Sequence, residues 1–466
     1  MLEKIITLAN DALYGYVLII LLLLGGVYFT LRTRFAQFRL LREQFRSVTE
    51  KTTEKGVSSF QALMVSTASR VGTGNIIGVA TALCLGGFGS VFWMWVIALI
   101  GAASAFVEST LAQIYKKRGK DSCYGGPAYY IEAATKRKGP AIVFSIFLIL
   151  TYGFGFNMLA SYNLQSTFSS YSFYDKDYTP WIIGFVVAVL VGYCLIGGGK
   201  RVVSVTSFLV PVMGAIYIAT AIVITVINID TLPDVIGEIF AGAFDLKAIF
   251  GGFSGSCIMH GIKRGLFSNE AGVGSAPNAS ASADVSHPAK QGLVQVLSVF
   301  IDTILVCTAT AFMCMTSGVK PPNDSDLVAK YVQDSLSATL GKAGPIFITV
   351  AMILFAFTTL LGNLFYVDKA INYLLGKEPG KTFRNVSYII ASLVIFAGAG
   401  LSADLLWGIA DITMGGMTLI NMPIIIYLGK YAFDALKDYE KQLKTGKDIT
   451  FKAKDINLPH ETDYWN

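Results

Sequence analysis

Two short stretches of this sequence place polar and helix-breaking residues inside otherwise apolar surroundings. The first is SRVGTGNIIG, with Gly72, Thr73, Gly74 and Asn75; the second is GLFSNEAGVGSAP, with Gly265, Ser268, Asn269, Glu270, Gly272, Gly274 and Pro277. A glycine inside a helix costs about 1 kcal/mol relative to alanine. Irregular backbone at membrane depth survives only where it is buried in protein or lines a cavity. The chemistry such breaks offer is the binding of ions and zwitterions, because freed amides receive a carboxylate and freed carbonyls receive a cation. Close packing through small residues would explain the first stretch taken alone. Two interrupted apolar segments in corresponding halves of a chain instead mark a secondary transporter built from inverted repeats.

Ionisable residues also fall inside apolar runs: Arg70, Glu108, Asp302, Asp368 and Asp411. An Arg or Asp at the bilayer centre costs about 2.5–3.5 kcal/mol on insertion scales, so each is expected to face the bundle interior with a partner. Arg70 is expected to pair with Glu108 on the next span. Enzyme chemistry has little to work with. Ser268 beside Glu270 lacks a His or Lys base and reads as a helix-break serine with a capping glutamate. The six cysteines are scattered without a CxxC and read as small buried hydrophobes, and the three histidines lie far apart. A channel would need a repeated filter or a ring of charges, and neither is present.

The elements that must position these residues are membrane spans. Of 466 residues, 53% are hydrophobic and 15% charged, against about 25% charged in soluble domains. The net charge of +6 lies in short basic clusters between apolar runs, a topology signal rather than a nucleic-acid-binding face. Windows of ~20 residues give about eleven transmembrane helices. The first runs from Leu13 to Leu31, the second from Phe60 to Leu85, the third from Ser90 to Tyr115 and the fourth from Ile142 to Phe168. The seventh runs from Phe244 to Gly265, the eighth from Gly292 to Thr316, the ninth from Pro345 to Leu375 and the eleventh from Leu405 to Tyr427. Basic clusters such as Lys116-Lys117-Arg118 and Lys136-Arg137-Lys138 fall on one side, and Asp175, Asp177, Asp230, Asp234, Asp324 and Asp326 on the other. The expectation is a multi-pass plasma (inner) membrane protein with its N-terminus outside and its C-terminus cytoplasmic. The division that follows is 1–58, a first span and basic loop; 59–228 and 229–430, two five-helix repeats; and 431–466, a tail with a helical start, FDALKDYEKQL, and a looser end, expected to be a solvated amphipathic end.

SRVGTGNIIGVATAL, GGFGSVFWMWVIALIG, GGPAYYIE, KRGLFSNEAGVGSAP and FIDTILVCT together resemble the alanine or glycine:cation symporter family, over about Phe60 to Tyr366. The resemblance implies an all-α 5+5 inverted-repeat, broken-helix symporter fold with one extra N-terminal helix. It implies symport of a small neutral amino acid, alanine or glycine, with sodium and in some members a proton. The carboxylate of the substrate would meet Thr73, Gly74 and Asn75, and its ammonium group the second break at Phe267, Ser268 and Asn269. Ala160, Asn163 and Asn363 would line the pocket. One sodium would take carbonyls near Ala68 and Val71 with Thr358 and Thr359, and a second would take Asn75 and Asp302; for the threonines, an intrahelical bond to the i−4 carbonyl is the ordinary alternative. Two positions depart from the family pattern. Ala160 stands where members often have Gln, and Asn363 where alanine-type members can carry Trp. The pocket would be roomier and would suit a larger neutral amino acid such as glutamine, unless Phe267 or Phe365 refills it. A non-transporting amino-acid receptor is the alternative of another class.

Overall fold

The computed structural model describes residues 6–466 except 7, 11, 51–56, 120–122, 245–256, 446–447, 457 and 459–461. Among the described residues the chain is helical, with two isolated backbone bridges and no strand. The helix α1 (Leu18–Arg32) leads to a short amphipathic α2 (Leu41–Val48). The second span is broken: α3 (Ser59–Arg70) is followed by two non-helical residues, Val71 and Gly72, then from Thr73 by a π turn Gly74–Gly78 and α4 (Val79–Gly86). Ser58 caps α3 by accepting from the Gln61 N–H while Gln61 bonds back, a reciprocal box that fixes its start. Then come α5 (Ser90–Ile114), α6 (Pro127–Thr135), and α7 (Lys138–Leu148) running through a π segment, Ile149–Gly155, into α8 (Phe156–Ser166). Two long apolar helices follow, α9 (Thr179–Ile196) and α10 (Gly198–Ile227).

The second half repeats the pattern. After α11 (Leu232–Ala243), α12 (Cys257–Asn269) ends in irregular chain, with Glu270, Gly272 and Gly274 at positive φ, before a single turn α13 (Pro277–Ser280). The expected start of the seventh span, after Phe244, lies outside the described residues. Next come α14 (Pro288–Val299), a π segment Phe300–Cys307 and α15 (Thr308–Met315). The last helices are α16 (Val328–Leu340), α17 (Ala343–Leu375), α18 (Lys381–Gly398) and α19 (Ala403–Thr445).

Eight of the described helices are long and apolar enough to cross a membrane. The broken segments fall outside that set because each half is short. Large apolar side chains stand exposed along α9, among them Ile182, Phe185, Val189 and Ile196, as a lipid-facing surface requires. The halves lock together where α14 crosses α5: a Cβ at Gly292 would meet the Phe106 ring at 2.7 Å, so only glycine lets the two helices approach so closely.

Three features differ from the sequence expectation. The helices α11 and α16 are additional to the expected spans; both carry polar residues on one face, which hydropathy windows average away. The helical start of the tail is present, but as one continuous rod with the eleventh span, running past Tyr427 to Thr445. The tail is not a solvated end, since Phe451, Ala453, Ile456 and Trp465 are buried. Trp465 donates its indole N–H to the Gln113 carbonyl at 2.7 Å, and the Lys116 ammonium lies 3.9 Å from the centre of the Tyr464 ring. Aromatic residues spaced along a polar segment carry that contact, and a charge count does not register them.

Candidate functional site

The first break is built by Asn75. Its Oδ1 accepts the Gly72 N–H at 2.8 Å, and its backbone N–H bonds Gly72 O at 3.1 Å. In a continuing helix those two N–H groups would serve the Ala68 and Val71 carbonyls. The side chain of Asn75 thus turns the chain and releases two carbonyl oxygens at one point. The Oγ1 of Thr359, on α17, is buried and has no hydrogen-bond partner, and position 72 lies directly against it. Ala68 O and Val71 O, relieved of those two donors, flank the turn against which Thr359 Oγ1 lies, and oxygens of this kind suit a hard cation. Thr358 differs: its hydroxyl lies 3.0 Å from Leu354 O and 3.1 Å from Phe355 O in its own helix, the intrahelical arrangement.

The amide of Asn75 also ties the two breaks together. Its Nδ2 donates to Asp302 Oδ1 at 2.6 Å and lies 3.2 Å from Ser268 Oγ. Ser268, at the end of α12, hydrogen-bonds Asp302 Oδ2, which also accepts from Thr303 Oγ1 at 2.9 Å. Asp302 and Thr303 sit in the π segment between α14 and α15; the widened turn aims both side chains inward, as π-bulges at functional sites do. Asn75, Ser268, Asp302 and Thr303 are all buried and form a second oxygen cluster around one carboxylate.

The wall of the site comes from α8 and α12. Phe156, Ala160 and Asn163 lie on one face of α8 at helical spacing; Ala160 is buried and Asn163 Nδ2 donates to Thr73 Oγ1 at 3.2 Å. The ring of Phe267 stacks 4.5 Å from Phe156 and 4.9 Å from Trp407 on α19, and lies against Gly74. Above that stack the Arg264 guanidinium covers the Trp407 ring at 3.8 Å. Asp411 holds Arg264 at 3.1 Å and Lys263 at 2.8 Å. Asn269 folds back, its Oδ1 accepting the Ala271 N–H at 2.9 Å, while its Nδ2 is buried without a partner.

Asn363 joins a polar chain beside the first break. Ser69 Oγ is 2.7 Å from Asn363 Oδ1 and 3.1 Å from Glu270 Oε1, and Asn363 Nδ2 donates to Asn157 Oδ1 at 3.0 Å. Phe365 instead lines a cleft of about 400 Å³ with Gln61, Ser282 and Lys369, so of the two phenylalanines only Phe267 stands at the breaks.

Arg70 does not pair with Glu108. It faces Glu270, Nε to Oε2 3.9 Å, and donates from Nη1 to Gln295 Oε1 at 2.9 Å. Glu108 accepts instead from Asn421 Nδ2 at 3.0 Å. The break after Asn269 turns Glu270 back toward α3, a long-range consequence that neighbouring-span reasoning does not reach. Trp407, Gln295, Ser69 and Asn157 are further contributors that the sequence reading missed; a buried polar residue in an apolar run was the available signal for the last three.

Residues 1–453 match the family model described as the sodium:alanine symporter family. Amino-acid carrier protein AlsT of Bacillus subtilis is 43% identical over 99% of this chain and 97% of its own length. A probable sodium/glutamine symporter of the same organism, GlnT, is 40% identical over 98% of this chain and 95% of its own. Among solved structures, MhsT in complex with L-phenylalanine is similar with a TM-score of 0.52 at 16% identity, covering 83% of this chain and 98% of that one. At such identity the likeness is one of fold.

Proposed function

The chain belongs to the sodium:alanine symporter family, and from that premise we propose that it imports a small neutral amino acid, alanine or glycine, together with sodium by alternating access. It is a multi-pass membrane transporter of the broken-helix symporter fold, not an enzyme, and sodium is its coupling ion. The observation that carries the finer reading is the Asn75 node. One side chain shapes the first break and bonds both Ser268 of the second break and Asp302. A cation bound at Asp302 and an amino acid bound at Thr73, Gly74 and Asn75 would then order the same atoms, so each raises affinity for the other by the same factor.

In this reading one sodium takes Ala68 O, Val71 O and Thr359 Oγ1, and the other takes Asp302 with Asn75. The ammonium group of the substrate meets Phe267, Ser268 and Asn269, with the Phe267 ring held against Trp407. The repeats are 59–228 and 229–430, with 1–58 in front and a tail from 431; the N-terminus is outside and the C-terminus cytoplasmic, following the basic loops. Symport of a larger neutral amino acid such as glutamine is the second reading. Ala160 and the adjacent amides of Asn157 and Asn363 favour it, in keeping with the relative named a probable sodium/glutamine symporter.

Uptake of labelled alanine, glycine and glutamine into proteoliposomes, with and without an inward sodium gradient, tests this. Sodium-dependent accumulation of alanine or glycine above glutamine supports the first reading, and the reverse ranking the second. Binding without accumulation of any of the three would replace both with a receptor.

A further inference from the structure

Apart from Asp411 with its partners Arg264 and Lys263, the described structure buries three carboxylates around the breaks, Glu108, Glu270 and Asp302, and one guanidinium, Arg70, whose field reaches all three. Arg70 faces Glu270 at 3.9 Å. Asp302 has three side-chain donors about it and is the centre of the cation cluster. Glu108 is left over. Its Oε2 accepts from Asn421 Nδ2 at 3.0 Å and the Gly272 backbone amide also faces the carboxyl, while Oε1, equally buried, makes no hydrogen bond of ordinary geometry. Asn421 cannot turn to help: Nδ2 also donates to Gly272 O at 3.0 Å, and Oδ1 accepts from Tyr130 OH at 2.6 Å. The titratable groups facing Glu108 are Arg70 from α3, Glu270 from the second break, Tyr130 from α6 and Tyr366 from α17; α19 offers the neutral Asn421.

An ionised carboxylate buried with no cation in contact with it is costly, and a proton relieves that cost. We propose that Glu108 is a proton-binding site of the transport cycle, loaded in the packed arrangement seen here and emptied when sodium binds. The proton adds to Oε1 from water, leaving Oε2 as the carbonyl acceptor for Asn421, and returns to water on release. Arg70 acts on both Asp302 and Glu108, so a sodium ion at Asp302 takes over part of the charge balance Arg70 supplies there and leaves more of it for the ionised form of Glu108. Asn421 bonds the backbone of Gly272 inside the second break, so the charge state of Glu108 and the shape of that break are linked. The inference rests on the placement of sodium at Asp302 proposed above.

The test uses the purified full-length chain in weak buffer with a pH-indicator dye, adding sodium chloride against equal choline chloride. No amino acid is needed, so an error in substrate assignment does not touch it. Scanned across the pH range in which the chain stays folded, sodium is expected to displace at its maximum up to about one proton per chain, as linkage requires of sites sharing one charge balance. Glu108→Gln is expected to cut that displacement at least about tenfold, and Glu108→Asp, which keeps an acid, to retain it. Equal displacement in Glu108→Gln and the parent, or none in the parent, overturns the proposal. Should Glu108→Gln fail to fold, infrared difference spectra of the parent give the same decision. Loss of a protonated-carboxyl C=O band on adding sodium, shifted in frequency in Glu108→Asp, upholds the proposal, and no such band overturns it. Sodium affinity of Asp302→Asn reports separately on the premise.

Discussion

The phenyl ring of Phe267 stands where a side chain at position 74 would have to go. A Cβ built on Gly74 comes within 2.7 Å of Phe267 Cδ1, and the ring cannot slide away, because Phe156 and Trp407 hold it at 4.5 and 4.9 Å. The glycine is thus required by close approach across the two breaks.

Gly74→Ala is therefore expected to fold and to lower the initial rate of substrate uptake about tenfold, since overpacking of this kind costs about 1–3 kcal/mol. Adding Phe267→Leu should recover part of the loss. Uptake unchanged in Gly74→Ala would mean that the ring moves freely and that the stack does not shape the site.

The two neighbouring threonines should separate cleanly. Thr359 Oγ1 is buried without a partner beside the freed carbonyls, whereas the Thr358 hydroxyl is satisfied within its helix. Thr359→Val, which keeps shape and removes the oxygen, should raise the sodium concentration for half-maximal uptake about tenfold, as the loss of one ligand to a hard cation implies. Thr358→Val should leave it within about twofold, the scale of an ordinary intrahelical bond. Equal effects would remove Thr359 from the cation set.

Breaking the buried pair of Arg70 and Glu270 should cost more than abolishing it. Both side chains are almost completely inaccessible, and a charge left alone in such a place costs about 3–5 kcal/mol. Glu270→Gln should lower the melting temperature of the purified protein sharply, and Arg70→Met combined with Glu270→Gln should restore most of it. A double variant less stable than either single one would show that Gln295, Ser69 and Ser275, which donates to Glu270 Oε2 at 2.6 Å, rather than the charge pair, dominate that region.

Both breaks were legible in the sequence because glycine, asparagine and proline are conspicuous in apolar surroundings, and local chemistry decides where a helix stops. The spans were legible for the same reason, as at Ala343–Leu375, where the expected start differs by two residues. The partner of Arg70 was not legible. It depends on how the chain turns at Glu270, which adopts positive φ, and sequence spacing holds no information about a contact across that turn. The π segment at Asp302 has no composition signal of its own. The docked tail was missed because Phe451 and Trp465 are isolated aromatics in a polar stretch, and only tertiary contact makes them core.

The contact of the tail should depend on pH through His287 and Asp438, which lie outside the spans. His287 Nδ1 accepts the Ala289 N–H at 3.1 Å, so the ring proton is on Nε2 and points to Asp438 Oδ2 at 3.3 Å. The ring also packs against Tyr439 and Phe451. Burial holds the imidazole pKa below its ordinary value of 6.5, and the hydrogen bond from His287 holds the Asp438 carboxyl below 3.8. With a folded pKa lowered in each case, the stabilisation is complete above the unfolded pKa and is lost as pH falls toward the folded one. The imidazole therefore acts first, from 6.5 downward, and the carboxylate only below 3.8. Protonation of Nδ1 would also cost the helix cap at Ala289. Limited proteolysis of the tail should accelerate as pH is lowered from about 7 to about 5, the range in which an imidazole titrates. His287→Asn, which keeps a capping group and removes the imidazole, should make cleavage faster at pH about 7 and nearly independent of pH across that window. A tail equally protected at both pH values in the parent chain would mean that Trp465 and Lys116 hold it without help from His287.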